Sequence, residues 1–232
     1  MQFLKPLFFF VILFSGLTSF SQKIVYSEPE SEDTRRLTFE VIGKVSGNFL
    51  IYKNTRSRSY IAAYDNDMKL VAKEEHKYLP DERLINVDFF PYADFAYMIY
   101  QYQKRNTVYC NAVKIDGTGR RVGEEIKLDT THIGFTADNK IYSAVSSEDK
   151  SQIMLFKINS RNKSRFILTT LLHDQSLGLK KRTVIPIAME ERQDYLDEFA
   201  VDNDGDFVFT KFSRGSNDNI AKTLLLWKPA MS

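Results

Sequence analysis

The 232-residue sequence is poor in cysteine and histidine, with one and three copies respectively. A single cysteine cannot form a disulfide within the chain, so a hydrophobic core must stabilise the fold, and a chain of this length can supply one. Cys110 lies in the apolar run TVYCNAV. We expect it to be a buried, unpaired thiol and not a nucleophile.

The sequence also lacks the motifs of the common enzyme classes. It has no phosphate-binding loop, dinucleotide fingerprint, zinc-protease helix or nucleophile elbow. Its formal net charge is +2 with 27% charged residues, which is typical of an ordinary solvated surface and argues against nucleic-acid binding. We therefore predict no cofactor and no nucleic-acid partner.

The N-terminus has the features of a secretory signal peptide. Lys5 precedes an apolar run from Leu7 to Leu17, and the small residues Ser19 and Ser21 frame a cleavage site before Gln22. The apolar run is too short to cross a membrane as a retained anchor. The sequence therefore predicts a signal peptide at 1–21, export to the periplasm or the extracellular space, and no transmembrane segment after cleavage.

No convincing amphipathic helix is present. From residue 37 onward, aromatic and β-branched residues form short runs separated by turn residues, which indicates an all-β fold. Residues 22–36 differ, because KIVYS could form one short strand and EPESEDTRR is a charged connector without periodicity. We interpret 22–36 as an N-terminal strand or linker.

A local pattern recurs along the all-β region. Val201 to Thr210 reads VDNDGDFVFT, a polar turn followed at once by an apolar strand, and related stretches begin at Val45, Pro91 and Thr136. The residues that close the turns are Asn48, Asp94, Asn139 and Asp206, at intervals of 46, 45 and 67 residues. Periods in the mid-forties are typical of a four-stranded propeller blade, and the third interval adds roughly twenty residues.

This pattern resembles a β-propeller, similar in plan to WD40-type and related secreted propellers. The resemblance covers Leu37 to Trp227 and implies about four antiparallel four-stranded blades. The predicted blades span residues 37–80, 81–130, 131–173 and 195–232, with an inserted loop at 174–194. In the third blade, HIGFT and KIYSAVS are the predicted first and second strands.

The fourth predicted blade lacks an outer strand. Two interpretations remain: KIVYS supplies the strand and closes a four-bladed ring, or the chain is part of a longer propeller with an open edge at Trp227. An open edge exposes apolar residues and unpaired backbone groups. In that case we expect the chain to self-associate.

Two sets of metal-ligand residue types occur, but neither predicts a metal site. Asp202, Asp204 and Asp206 have the alternate spacing of a calcium loop, without the glycine and the terminal glutamate that such a loop requires. The three histidines are His76, His132 and His173, and no two of them have the close spacing of a zinc motif. We interpret the three aspartates as a solvated hairpin turn and the three histidines as isolated loop residues.

Four carboxylates are predicted on the innermost strands, near the central channel. They are Glu40, Asp88, Asp197 and Glu198. Glycosidic-bond cleavage needs two carboxyl groups in different environments, and propeller glycoside hydrolases place them in such a position. The alternative functional hypothesis is therefore a carbohydrate-active enzyme that uses Asp88, Asp197 and Glu198.

The main hypothesis depends on the loops. The connections between second and third strands, together with the insertion, are predicted to form one basic face. Its residues are Arg56, Arg58, Lys104, Arg105, Lys180, Lys181, Arg182 and Arg214. Since long loops on rigid scaffolds often carry binding sites, the sequence predicts an exported, non-catalytic binding or scaffolding module for an anionic glycan or a protein partner.

Overall fold

The computed structural model describes residues 23–29, 37–55, 58–80, 84–161, 165–189, 194–214 and 220–228. The predicted signal peptide and Arg56 lie outside these ranges. All regular structure within the ranges is β-strand, which confirms the all-β prediction. No helix long and apolar enough to span a membrane occurs in this part of the chain.

The strands form four antiparallel sheets, and within each sheet they are ordered as in the chain. Blade 1 contains β1 (Thr38–Val45), β2 (Asn48–Asn54), β3 (Ser59–Tyr64) and β4 (Leu70–Glu75). Blade 2 contains β5 (Leu84–Pro91), β6 (Phe95–Lys104), β7 (Thr107–Asp116) and β8 (Arg121–His132). Blade 3 contains β9 (Tyr142–Ser146), β10 (Gln152–Arg161), β11 (Arg165–Asp174) and β12 (Leu179–Ala188). Blade 4 contains β13 (Tyr195–Val201), β14 (Phe207–Arg214) and β15 (Ile220–Trp227).

Three apolar clusters join successive blades face to face. Alternating strand residues point to opposite faces, so the middle strands of blades 2 and 3 are apolar on both sides. One such side carries Met98 and packs against Leu50 of blade 1, while the other carries Ile99 and packs against Leu155 of blade 3. Cys110 is fully buried and free, as predicted. Meander blades packed in this way, with β1 against β5 and β9 against β13, have β-propeller architecture.

One end of the blades is built from a recurring aspartate turn. The turns begin at Asp65, Asp116, Asp174 and Asp202, and in each the carboxylate Oδ1 accepts the N–H groups of the second and fourth residues that follow. The third following residue has a positive φ, 89° at Gly205 for example. We call this the Asp-turn end of the blades. The opposite end, where second strands turn into third strands and one blade connects to the next, is the connection end.

The predicted insertion at 174–194 is wrong, because most of it forms β12. This strand pairs with β11 along its whole length and is the outer strand of blade 3. HIGFT is consequently not a first strand: residues 133–141 connect the blades, and the first strand is β9. The second strands begin at 48, 95, 152 and 207, at intervals of 47, 57 and 55 residues, instead of 46, 45 and 67.

The composition of β12 explains the error. Its alternate positions Thr183, Ile185 and Ile187 are partly or fully buried, as in a half-covered strand, but Lys181 lies on the same face, and Pro186 on the exposed face is untypical of a strand. Proline is tolerated on an outer strand because one side of that strand has no ladder to donate to. The turn Asp174–Gly178, which repeats the aspartate pattern of Asp65 and Asp116, is the sequence signal that places β12 correctly.

Blade 4 has three strands in the described part of the chain, and β15 pairs there with β14 alone. KIVYS does not supply the fourth strand, since residues 23–29 have no regular structure. The outward face of β15 exposes Leu224 and Leu226 by 70% and 56%. An uncovered strand edge beside exposed leucines is the kind of surface through which sheets associate.

We expect the double variant Leu224→Lys, Leu226→Lys to weaken self-association of the chain. Two charges on this edge oppose both strand pairing and apolar contact. Molar mass from light scattering over a concentration series should rise with concentration for the unmodified chain and stay at the monomer value for the variant. Val184→Lys, at a residue with 57% exposure on β12, is the matched control and should behave like the unmodified chain. Equal association of the double variant would contradict the assignment.

Candidate functional site

Two carboxyl groups and one ammonium group come together near the first strands of blades 1 to 3. Glu40 lies on β1, Asp88 lies on β5, and Lys140 lies two residues before the start of β9. Lys140 Nζ donates a hydrogen bond to Asp88 Oδ1 at 2.7 Å, and both side chains are partly shielded from solvent. We call Glu40, Asp88 and Lys140 the channel triad.

The environment of Glu40 differs from that of Asp88. Glu40 is solvent-exposed, but desolvation by neighbouring groups raises its pKa above the ordinary value, the negative charge of Asp88 raises it further, and the Lys140 ammonium opposes both effects. Asp88, in contrast, holds its carboxylate in a direct ion pair. The two carboxyls are thus electrostatically coupled, and they lie in different environments.

Two buried glutamine side chains fix the position of Lys140. Gln101 Oε1 accepts the N–H groups of Ile141 and Tyr142 at 2.9 and 3.0 Å, and Gln101 Nε2 donates to the Tyr142 carbonyl at 2.8 Å. Gln103 binds the same connection nearer its start, through Phe135 and Ala137. Blade 2 therefore holds the connection that carries Lys140, although that connection has no regular structure of its own.

A cavity of about 200 Å³ opens beside Glu40. It lies between β1 and β5, and Tyr52, Asn54 and Asn86 contribute to its lining. The Asn86 Nδ2 amide group is buried and has no hydrogen-bond partner among the described residues. An unsatisfied buried donor next to a carboxyl group suits a ligand rich in hydroxyl oxygens.

The other two predicted carboxylates do not join this group. Glu198 accepts hydrogen bonds from Thr210 and Lys222 within its own blade, at 2.8 and 2.7 Å. Asp197 Oδ1 accepts the N–H of Glu198, and no contact between described residues links it to Asp88. Asp88 is thus the only member of the predicted catalytic set in the channel triad.

The predicted basic face is wrong, because its residues lie at opposite ends of the blades. Lys104 and Arg105 form the β6–β7 turn at the connection end. Lys180, Lys181 and Arg182 begin β12 at the Asp-turn end, where Lys180 donates to the Gln152 side chain. Arg58 is in an ion pair with Glu75, and Arg182 binds Asp129. Arg214 is the last residue of β14, but its side chain is outside the described part of the chain. Arg56 is also outside that part.

The histidines are distributed over the fold. His76 and His173 are buried, and desolvation lowers the pKa of His76 to about 4, so this ring is neutral at pH 7. His132, in contrast, is exposed at the end of β8. Within the described ranges, no three histidine, cysteine or carboxylate side chains converge as metal ligands do. In the Asp202 turn, Asp202 Oδ1 binds two backbone N–H groups of the turn itself.

Comparison with known proteins gives matches at the level of structure only. No known family matches the sequence, and no curated protein does. Among solved structures, the chain is similar to a GH43 β-1,3-galactosidase with galactodeoxynojirimycin, at a TM-score of 0.43 and 12% identity over 86% of this chain and 75% of that one. It is also similar to a thermostable family-43 glycoside hydrolase, at a TM-score of 0.45 and 12% identity over 90% and 73% of the two chains. These neighbours are glycoside hydrolases.

A second GH43 β-1,3-galactosidase matches at a TM-score of 0.42 and 11% identity, over 87% of this chain and 46% of that one. The prediction of a non-catalytic binding or scaffolding module is contradicted by this comparison and is not retained. Identities of 11 to 12% with TM-scores below 0.5 transfer no substrate and no catalytic residue to this chain. Its chemistry must therefore be argued from its own side chains.

The sequence analysis missed Lys140 and the two glutamines. A signal for the glutamines was present, since Gln101 and Gln103 are polar residues at alternate positions of the otherwise apolar run of β6. Polar residues at buried strand positions must find partners, and a neighbouring connection is the nearest source. No comparable signal marks Lys140 as the partner of Asp88, 52 residues away in sequence.

Proposed function

We propose that the protein is a carbohydrate-active enzyme that cleaves glycosidic bonds at the channel triad. The observation that supports it is the coupled pair of Glu40 and Asp88. One carboxyl has a raised pKa and the other is held in an ion pair with Lys140. Two carboxyls in different environments are the minimum that glycoside hydrolysis requires.

The two carboxyls would have separate tasks. Glu40, as general acid, donates its proton to the leaving oxygen of the scissile bond. As the bond between the anomeric carbon and the leaving oxygen breaks, a water oxygen bonds to that carbon; the Asp88 carboxylate balances the positive charge developing there and takes up the proton that the water loses. Lys140 is a positioning residue: it orients the Asp88 carboxylate and limits the rise in the pKa of Glu40.

The cavity beside Glu40 would hold the sugar ring on one side of the scissile bond. Its volume of about 200 Å³ suits a single monosaccharide unit. Asn54, Asn86 and the Tyr52 hydroxyl offer donors and acceptors for sugar hydroxyls. The orphaned Asn86 amide gains a partner when a hydroxyl oxygen enters.

Location and partners extend the proposal. The signal peptide predicted at 1–21 would deliver the enzyme to the periplasm or the extracellular space, where glycans are the partner that the triad would act on. The predicted binding of an anionic ligand is not part of the proposal, because the basic residues on which it was based lie at opposite ends of the blades. Self-association through the β15 edge is a separate proposal, tested by the lysine variants above.

The test is a cleavage assay on a panel of neutral and acidic oligosaccharides and aryl glycosides, with product detection by anion-exchange chromatography. We expect the unmodified chain to release sugar from at least one substrate, and the double variant Glu40→Gln, Asp88→Asn to release none. Glu74→Gln is the control and should retain full activity, since it removes a partly exposed carboxylate on β4 of blade 1 that binds Arg120 of blade 2. Cleavage that survives in the double variant would assign it to other residues or to a contaminant.

A further inference from the structure

A second, larger cleft adjoins the channel triad on the Lys140 side. Its volume is about 560 Å³, within the usual range for small-molecule sites. The connection 135–141 forms one wall, Phe156 of β10 and Phe199 of β13 lie on the other side, and Lys140 itself is part of the lining. Lys140 is therefore shared by the cleft and by the ion pair with Asp88.

The wall of the cleft is rigidly held although it lacks regular structure. Gln103 Nε2 donates to the Phe135 carbonyl at 2.9 Å, and Gln103 Oε1 accepts the Ala137 N–H at 2.8 Å. Gln101 fixes the following residues, Ile141 and Tyr142, in the same way. A wall held at both ends is preorganised, so a ligand does not have to order it on binding.

Phe135 is 62% exposed on this fixed wall. Leaving a large apolar ring in water has a free-energy cost, and the clamped backbone prevents the segment from rearranging to cover it. Asp138 and Asn139 are exposed next to it and also line the cleft. A flat apolar ring beside short polar side chains matches a sugar, which has an apolar ring face and polar edges.

The charges of the lining favour a neutral ligand. Both of its lysines are in ion pairs: Lys140 with Asp88, and Lys157 with Asp129 at 2.6 Å. Asp138 adds a negative charge. A uronic acid or a sulfated sugar would thus meet no uncompensated cation among the described lining residues, and it would be repelled by Asp138.

We propose that this cleft binds one or two units of a neutral oligosaccharide, with the Phe135 ring stacked on a sugar face, and that it extends the site of the channel triad. The inference rests on the proposed function for the position of the scissile bond. It places that bond near the triad, between the cavity beside Glu40 and this cleft. It therefore predicts that substrates are chains of at least two or three neutral sugars.

The test measures binding without turnover. In the cleavage-blocked variant Glu40→Gln, which keeps the ion pair between Lys140 and Asp88, saturation-transfer NMR is recorded with a mixture of galactotriose, xylotriose, mannotriose and trigalacturonic acid. We expect signals from at least one neutral trisaccharide, little or none from the acidic one, and an affinity about tenfold lower after Phe135→Ala, the loss of one stacking contact. Phe135 is exposed, so its removal should not affect folding, which the thermal midpoint will check.

The matched control is Tyr195→Ala, which removes an exposed aromatic ring that stacks on Phe212 in blade 4. It should leave binding unchanged. Equal binding by Phe135→Ala, binding of the acidic sugar alone, or no binding at all would overturn the inference. If binding depends on Phe135 but the unmodified chain cleaves no substrate, the binding cleft is upheld and the proposed catalysis is rejected. If the unmodified chain cleaves a substrate and Phe135→Ala does not change its KM, the proposed catalysis is upheld and the binding cleft is rejected.

Discussion

We expect Glu40→Gln to lower kcat/KM for oligosaccharide cleavage by about a thousandfold, the usual range for loss of a general acid. The loss should be much smaller for aryl glycosides with acidic phenol leaving groups, because these depart without a proton. Asp88→Asn should lower the rate for both kinds of substrate, since charge at the anomeric carbon develops in either case. The two variants are compared by steady-state kinetics on matched oligosaccharide and aryl substrates.

The pH profile gives an independent check of the same assignment. Since Glu40 acts in its protonated form and its pKa is raised, activity should fall as pH rises through that pKa. Lys140 lowers the pKa of Glu40, so Lys140→Met should move this limb of the profile to higher pH. Two results would contradict the assignment of Glu40 as the general acid. One is a high-pH limb of the activity profile that does not shift in Lys140→Met. The other is a loss of kcat/KM in Glu40→Gln that is equal for oligosaccharides and aryl glycosides.

The largest stability effect should come from a buried ion pair between blades 2 and 3. Lys157 is 3% exposed, and its ammonium donates to Asp129 Oδ2 at 2.6 Å, to Thr131 Oγ1 at 3.0 Å and to the Tyr142 hydroxyl at 3.1 Å. Arg182 binds the second carboxylate oxygen of Asp129 at 3.1 Å. Removing the only carboxylate among these described contacts leaves the Lys157 charge buried without a counter-ion.

We expect Asp129→Asn to lower the free energy of unfolding by about 3 to 5 kcal/mol, as for other broken buried pairs. Urea unfolding at pH 7 measures it. Glu74→Gln breaks an exposed pair with Arg120 and should cost less than about 1 kcal/mol. A loss for Asp129→Asn as small as that of the control would show that the pair is solvated.

The Asp129 pair also predicts a pH dependence. Burial alone would raise the pKa of Asp129, but the hydrogen bond and charge of Lys157 and the Tyr142 hydroxyl outweigh it, so the pKa lies below its ordinary value of 3.8. A lowered folded-state pKa contributes stability above the unfolded pKa, and this stability is lost as pH falls through the folded pKa. Acid unfolding below pH 4 should therefore be less steep in Asp129→Asn than in the unmodified chain.

Local patterns in the sequence determined the fold class because each strand carries its own signal. Runs of aromatic and β-branched residues with polar turns give β-meanders wherever they occur, and blades 1, 2 and 4 follow that rule. The same holds for Cys110, whose apolar neighbours predict its burial. Blade 3 was misassigned because Lys181 interrupts the covered face of β12 and Pro186 is untypical of a strand, and an outer strand tolerates both residues.

The site depended on contacts that no local pattern encodes. The sequence places Glu40 and Asp88 on first strands, but only the packing of blades 1 to 3 brings Lys140 to Asp88 and leaves Glu198 bound to Lys222 in blade 4. The predicted basic face was wrong for the same reason, because one misplaced strand moves the residues beside it to the opposite end of the blade. The sequence by itself determined an all-β chain of repeated meanders. The tertiary structure decided which of its charges meet, because pairing between blades depends on registers and connections far apart in the chain.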